Sequence, residues 1–244
     1  MCRHLAYLGP PIAPERLLFD APHALVQQAV APKLQTATPD NPDGWGVAWY
    51  PERARTPRVH RTATPMWDDV AFLADPPPVS RALVAAARAA SPGSVVDATG
   101  NAPFVAGRWS FSLNGSVPAF HDGVGEELRG WLSPARRDAL EGDTDSEVLL
   151  ALVLDLVDDG TRPAPALRTV ATRVHERAGG RLNLLLVDGG RAYATAIGNT
   201  LFVRRSRGAT VVASEPLDDG AGWEPVADAS FVEATPDRTV SIPL

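Results

Sequence analysis

The sequence predicts one α+β domain spanning residues 1–244, and three observations carry that expectation. Segments rich in β-branched and aromatic residues lie near both ends of the chain. Two long helical patterns, 145–158 and 164–178, lie between them. No internal repeat, low-complexity tract or linker divides the 244 residues. Strands at both ends with helices between them form an α+β arrangement. A chain of this length can bury roughly 70–75% of its unfolded surface, so its core needs no disulfide or metal staple.

The elements follow in order. Residues 2–8 are expected as a short strand, and 14–20 and 23–30 as brief helices split by Pro22. Residues 31–43 hold three prolines and lead into Asp43-Gly44, so they read as a loop. Residues 45–50 and 58–62 read as strands around a turn at 53–57, and 66–74 as a helix ended by Pro76-Pro77-Pro78. The run 81–90 has two readings. Its alanines favour helix by propensity, and its unbroken apolar character between prolines suits a buried strand. A strand is expected over 104–113, followed by a tight turn at Asn114-Gly115. Residues 126–131 and 134–140 are short helical pieces.

Thr144-x-x-Glu147 forms a capping box that opens the clearest helix. Val148, Leu149, Leu150, Leu152, Val153, Leu154, Leu156 and Val157 cover nearly every face of it, so it is expected to be buried on more than one side. The next helix ends at Gly179-Gly180. Strands then follow at 182–187, 192–197, 201–204, 210–213, 230–234 and 239–242.

Composition excludes several classes. The net charge is −6 and no basic stripe appears, which argues against nucleic acid as a partner. Gly9-Pro10-Pro11 prevents a secretory apolar region from forming. The runs at 82–90 and 148–157 are interrupted by Arg88 and Asp155, and no run reaches the ~18–20 residues that span a bilayer. A cytoplasmic protein is expected. Its one cysteine allows no internal disulfide. Oligomeric state is not readable, and a homo-oligomer stays open.

That cysteine, Cys2, would be the N-terminal residue after removal of Met1. An N-terminal cysteine pairs a thiol with an α-amine that titrates near ~8 and can act as its base. The plainer reading is a small apolar residue at a strand start. Amide cleavage also needs oxyanion donors, which the Asn114 amide and the Gly115 N–H could supply, although Asn-Gly also serves hairpins for steric reasons alone. Arg88 within an apolar run must meet either an internal acid or a substrate carboxylate. Asp145 either complements a helix N-terminus or binds a substrate ammonium. Cys2 and His4 have no matching downstream pair, since His23, His60, His121 and His175 are scattered. No metal centre and no cofactor are expected.

In this order the motifs resemble the class II glutamine amidotransferases, which are N-terminal-nucleophile hydrolases. Met1-Cys2, Asp43-Gly44-Trp45-Gly46, Arg88-Ala89-Ala90-Ser91, Asn101-Ala102-Pro103-Phe104, Asn114-Gly115 and Thr144-Asp145-Ser146-Glu147 carry the likeness. The resemblance implies a four-layer αββα sandwich with two antiparallel sheets between helix layers, and so a strand at 81–90. It implies Cys2 as nucleophile, Asn114 and Gly115 as oxyanion donors, and Arg88 with Ser91 on the glutamyl α-carboxylate. Asp145 would bind the α-amine. Ala89, Pro92 and Ala102 depart from the family pattern, so contacts from those edges do not transfer.

Within the class, the segments 1–9, 41–50 and 211–216 resemble the amidohydrolases of the ergothioneine pathway, which cleave γ-glutamyl-hercynylcysteine S-oxide to glutamate and hercynylcysteine S-oxide. The expected partner is therefore a small γ-glutamyl substrate. Its trimethylammonium group favours aromatic faces, and Trp45 and Trp67, beside loops, are the tryptophans expected to meet it. The alternatives are a glutaminase subunit that feeds ammonia to a separate synthase, and a non-catalytic binding protein in which Cys2 is packing.

Overall fold

The computed structural model describes residues 2–34, 38–52, 54–91 and 95–244. Removal of Met1, residues 35–37 of the expected loop, the first residue of the expected turn at 53–57, and Pro92 with its neighbour Gly93 lie outside the described residues. In chain order the strands are β1 (Arg3–Ile12), β2 (Trp45–Trp49), β3 (Arg58–Thr62), β4 (Ser80–Ala87), β5 (Phe104–Ala106), β6 (Trp109–Ser116) and β7 (Arg181–Val187). The chain continues with β8 (Ala192–Ala196), β9 (Phe202–Ser206), β10 (Ala209–Ala213), β11 (Trp223–Pro225), β12 (Ser230–Ala234) and β13 (Thr239–Pro243). The helices are α1 (Leu25–Val30), α2 (Val70–Ala74), α3 (Gly125–Arg129), α4 (Pro134–Asp138), α5 (Asp145–Asp158) and α6 (Pro163–Ala178).

One sheet has the order β11-β9-β10-β1-β4-β2-β3 and the other β13-β12-β8-β7-β6-β5. The pairings within both are antiparallel. Strand alternation sorts the side chains into layers. Ala6, Leu8, Ala82, Val84 and Val212 of the first sheet pack against Leu185, Val187, Ala194 and Val232 of the second. The opposite parity, Leu5, Tyr7, Trp45, Val47, Leu83 and Ala85, faces α1, α2 and the helical turn at Arg16–Asp20. Phe111, Leu113, Leu184 and Leu186 pack under α5 and α6. The result is helix, sheet, sheet, helix, the expected αββα order.

Two expectations are settled or corrected at positions that matter for the site. The ambiguous run becomes β4, a central strand between β1 and β2. Apolar neighbours on both faces and bonded strands on both edges outweigh alanine's helical propensity. Asn114-Gly115 is not a tight turn. Both residues continue β6 and pair with Asn183 and Leu182 of β7. The reason is steric: a Cβ at residue 115 would lie 1.7 Å from the Arg181 carbonyl oxygen, so the glycine serves a close backbone approach rather than a reversal.

The capping box is half realised. Thr144 Oγ1 accepts from Glu147 N at 3.2 Å, but the Glu147 carboxylate turns to Glu141 N and Gly142 N, each at 2.7 Å. Trp223–Pro225 adds an edge strand that sequence reading missed. Among the described residues no helix is long and apolar enough to cross a membrane.

Candidate active site

The ends of three strands and the start of a helix meet at one cavity of about 320 Å³. Cys2 immediately precedes β1, Arg88 immediately follows β4, Gly115 lies near the end of β6, and Asp145 opens α5. All four line the cavity, and so does Ser91. Cys2 is a free, partly exposed thiol.

Arg88 reaches the cavity on a built support. Its N–H donates to Gly44 O at 2.9 Å, and Asp43 N donates to Arg88 O at 3.0 Å. Asp43 Oδ2 accepts from Ala90 N at 2.8 Å, so one carboxylate pins the chain just beyond Arg88. The guanidinium donates to Val95 O at 3.3 Å and to Asn101 Oδ1 at 3.4 Å. Among the described residues it forms no ion pair with a carboxylate. Asn101 is fixed in turn by Thr62 O at 2.6 Å. Gly44, at φ +100°, admits Asn101: a Cβ there would lie 2.2 Å from Asn101 Nδ2.

The Asp145 carboxylate accepts from Val117 N at 3.0 Å and from Ser146 N at 2.8 Å. Burial raises its pKa above the ordinary carboxylate range, and these hydrogen bonds offset only part of that shift. An acid carrying such a penalty gains when a cation arrives. Arg88 and Asp145 therefore place opposite charges on the cavity wall, as the two ends of an α-amino acid would require.

Asn114 does not line the cavity. Its parity turns the side chain between the sheets, where it has no exposed surface. Its Nδ2 donates to Ser214 Oγ at 3.1 Å, and its Oδ1 lies 3.4 Å from both Arg3 Nη2 and Asn199 Nδ2. Neither tryptophan meets the cavity. Trp45 is fully buried, with Nε1 donating to Asp69 Oδ2 at 3.1 Å and its ring packed on Phe19, His60 and Phe72. Trp67 is exposed beside Met66, away from the cavity lining. The aromatic residues that do line it are Phe104 and Phe120, with His121 and Asp122 beside Phe120. Sequence reading named Phe104 only within the 101–104 motif and missed Phe120, His121 and Asp122, since nothing in residues 119–122 signals a site.

A buried charged network behind Cys2 was also missed. Arg3 Nε donates to Cys2 O at 2.9 Å and Nη1 to Glu215 Oε1 at 3.0 Å. Glu215 further accepts from His23 Nε2 at 2.8 Å, Lys33 N at 2.9 Å and Leu34 N at 3.1 Å. Burial alone would raise the Glu215 pKa. The His23, Lys33 and Leu34 hydrogen bonds and the Arg3 charge together bring it down to about 2.

The family model described as class-II glutamine amidotransferases matches residues 24–208, a stretch that includes Arg88, Gly115 and Asp145 but not Cys2. The γ-glutamyl-hercynylcysteine sulfoxide hydrolase of Mycolicibacterium smegmatis is 34% identical over 246 aligned residues, covering 100% of both chains. The protein of the same name from Mycobacterium tuberculosis (strain CDC 1551 / Oshkosh) is 34% identical over 240 residues, 96% of this chain and 93% of that one. Among solved structures, a glutamine aminotransferase class-II domain protein from Silicibacter pomeroyi superposes with a TM-score of 0.71 at 24% identity, covering 99% of each chain. The glutamine phosphoribosylpyrophosphate amidotransferase of B. subtilis does so with a TM-score of 0.70 at 13% identity, covering 99% of this chain and 49% of that one. These two structural likenesses concern the fold.

Proposed function

The chain belongs to the class-II glutamine amidotransferases, and from that premise we propose that it is an amidohydrolase cleaving the γ-glutamyl amide of γ-glutamyl-hercynylcysteine S-oxide. The observation that carries the reading is the convergence of Cys2, Arg88, Ser91, Gly115 and Asp145 on one cavity from four distant parts of the chain. The names of the two full-length relatives support the substrate.

In this proposal the domain acts with Met1 removed. The Cys2 thiol attacks the γ-carbonyl carbon while the Cys2 α-amine takes its proton. Charge develops on the carbonyl oxygen, where the Gly115 N–H stabilises it; the Asn114 amide, buried behind the cavity wall, joins it only by aiming its second N–H past that wall toward Cys2. The amine returns the proton to the departing nitrogen, the C–N bond breaks, and a γ-glutamyl thioester remains. Water, deprotonated by the same amine, attacks the thioester carbonyl; the C–S bond breaks, the amine returns the proton to the Cys2 sulfur, and glutamate leaves. Arg88 and Ser91 hold the α-carboxylate and Asp145 holds the α-ammonium, so the γ-carbon meets the thiol in a fixed register. For the quaternary ammonium of the leaving group the cavity offers Phe104 and Phe120 rather than Trp45 or Trp67.

The test is glutamate release from γ-glutamyl-hercynylcysteine S-oxide and from free glutamine by the same preparation. The proposal expects kcat/KM on the former to exceed that on glutamine at least about tenfold, a difference of about 1.4 kcal/mol in transition-state binding. Equal or greater turnover of glutamine would instead favour an ammonia-supplying glutaminase.

A further inference from the structure

A nucleophile at a chain end needs that end held, because terminal residues are poorly ordered unless tied down. Arg3 ties it. Its side chain is 1% exposed and that of Glu215 0%, and the Arg3 guanidinium spans Cys2 O, Glu215 Oε1 and Asn114 Oδ1. Ser214, next to Glu215, completes the arrangement. Its N–H donates to His4 O at 2.9 Å. Its Oγ accepts from His4 N at 3.0 Å and from Asn114 Nδ2 at 3.1 Å.

None of these three residues lines the cavity. A buried ion pair is also a poor device for stability alone, because apolar residues of similar volume often serve as well or better. What the pair does here is geometric. The Asn114 oxygen faces the Arg3 and Asn199 donors, so its nitrogen is turned toward Ser214, which leaves that nitrogen a second N–H.

We propose that Arg3, Ser214 and Glu215 are positioning residues for the reaction. Glu215 fixes Arg3, Arg3 fixes the carbonyl of Cys2 and hence the thiol and amine on the same residue, and Ser214 with Arg3 fixes the orientation of the Asn114 amide. The C-terminal part of the chain thereby sets the register between nucleophile and oxyanion donor without touching substrate. This rests on the reading of Cys2 as the processed nucleophile.

The test uses Arg3→Lys, which keeps a cation against Glu215 but has no Nε to hold the Cys2 carbonyl, and Ser214→Ala, which removes the Asn114 acceptor at little change in volume. Misplacement of reacting groups by about 1 Å can cost on the order of 100-fold. For each folded variant, kcat is expected to fall at least about tenfold with KM within about threefold, because Arg88 and Asp145 are unchanged. Covalent labelling of Cys2 by a glutamine-analogue diazoketone is expected to slow in parallel in Arg3→Lys. Circular dichroism and the melting temperature report folding.

A folded Arg3→Lys protein with wild-type kcat and labelling rate overturns the proposal, and so does a raised KM at unchanged kcat. An Arg3→Lys chain that does not fold, alongside a Ser214→Ala chain with wild-type kcat, assigns the network to stability alone and overturns it too. Cys2→Ala is measured in parallel. Retained activity there sinks the nucleophile reading itself, whereas an inactive Cys2→Ala beside a fully active Arg3→Lys sinks only the positioning role.

Discussion

Asp145→Asn separates binding from stability. The carboxylate accepts from Val117 N and Ser146 N, and burial raises its folded pKa. A carboxyl group whose folded pKa lies above its unfolded one stabilises the fold below the unfolded value and loses that contribution as pH rises through the folded one. Ionising Asp145 is therefore a cost to the free protein, one that grows as pH rises toward the folded pKa. Asparagine removes this cost but has one acceptor oxygen where the carboxylate has two, so one N–H loses its partner, worth about 1 kcal/mol. The two effects oppose, and Tm is expected to stay within about 4 °C of wild type, the shift of about 1 kcal/mol in a chain of this size. Substrate binding has no such offset. Losing a charged hydrogen-bond partner for the α-ammonium costs about 1.5–3 kcal/mol, a rise in KM of about 10–150-fold. The assay is glutamate release against substrate concentration at pH 7, with a thermal melt of the same protein. A KM within threefold of wild type, or a Tm lower by more than about 8 °C, would refute the assignment of Asp145 to the ligand.

Three further outcomes follow from the geometry. Gly115→Ala places a Cβ 1.7 Å from the Arg181 carbonyl oxygen. The β6–β7 pairing must shift, with a loss of about 3 kcal/mol or more in urea denaturation and activity reduced at least about 100-fold. Gly44→Ala meets Asn101 Nδ2 at 2.2 Å in a backbone at φ +100°. It is expected to cost about 1–3 kcal/mol and to raise KM through Arg88, and an unchanged KM would separate the Asp43-Gly44 support from the site. Glu215 has a folded pKa near 2 against an ordinary 4.5, so its contribution is present above pH 4.5 and lost as pH falls toward 2. Glu215→Gln should cost about 3–5 kcal/mol at neutral pH and flatten the decline of the urea midpoint between pH 4.5 and 2.

Much of the layer order is legible along the chain, because β1, β4, β7 and α5 each carry an apolar pattern suited to their place. Cys2, Arg88, Gly115 and Asp145 are legible as chemistry for a related reason. Each stands at or beside the end of a strand or helix, and Arg88 also interrupts an apolar run. Other features depend on contacts that no local pattern holds. Asn114-Gly115 has the composition of a turn, and only the approach of Arg181 makes it a strand. Trp45 sits beside a loop, yet Asp69, which also accepts from Phe72 N and pairs with His60, draws its indole into the core. β11 contains Pro225 at a sheet edge, where a missing N–H is tolerated. Arg3 and Glu215 are 212 positions apart. The signal available for them was a charged residue entering a buried strand and an acid two residues after the apolar run 211–213.

The central claim is that the reacting group is the processed N-terminus, with thiol and amine on one residue. Intact-mass spectrometry after treatment with a glutamine-analogue diazoketone tests it most directly. The account predicts one adduct, mapped to Cys2 in a chain that lacks Met1, and none in Cys2→Ala. A fully active enzyme that retains Met1, or an adduct on any other residue, would contradict it.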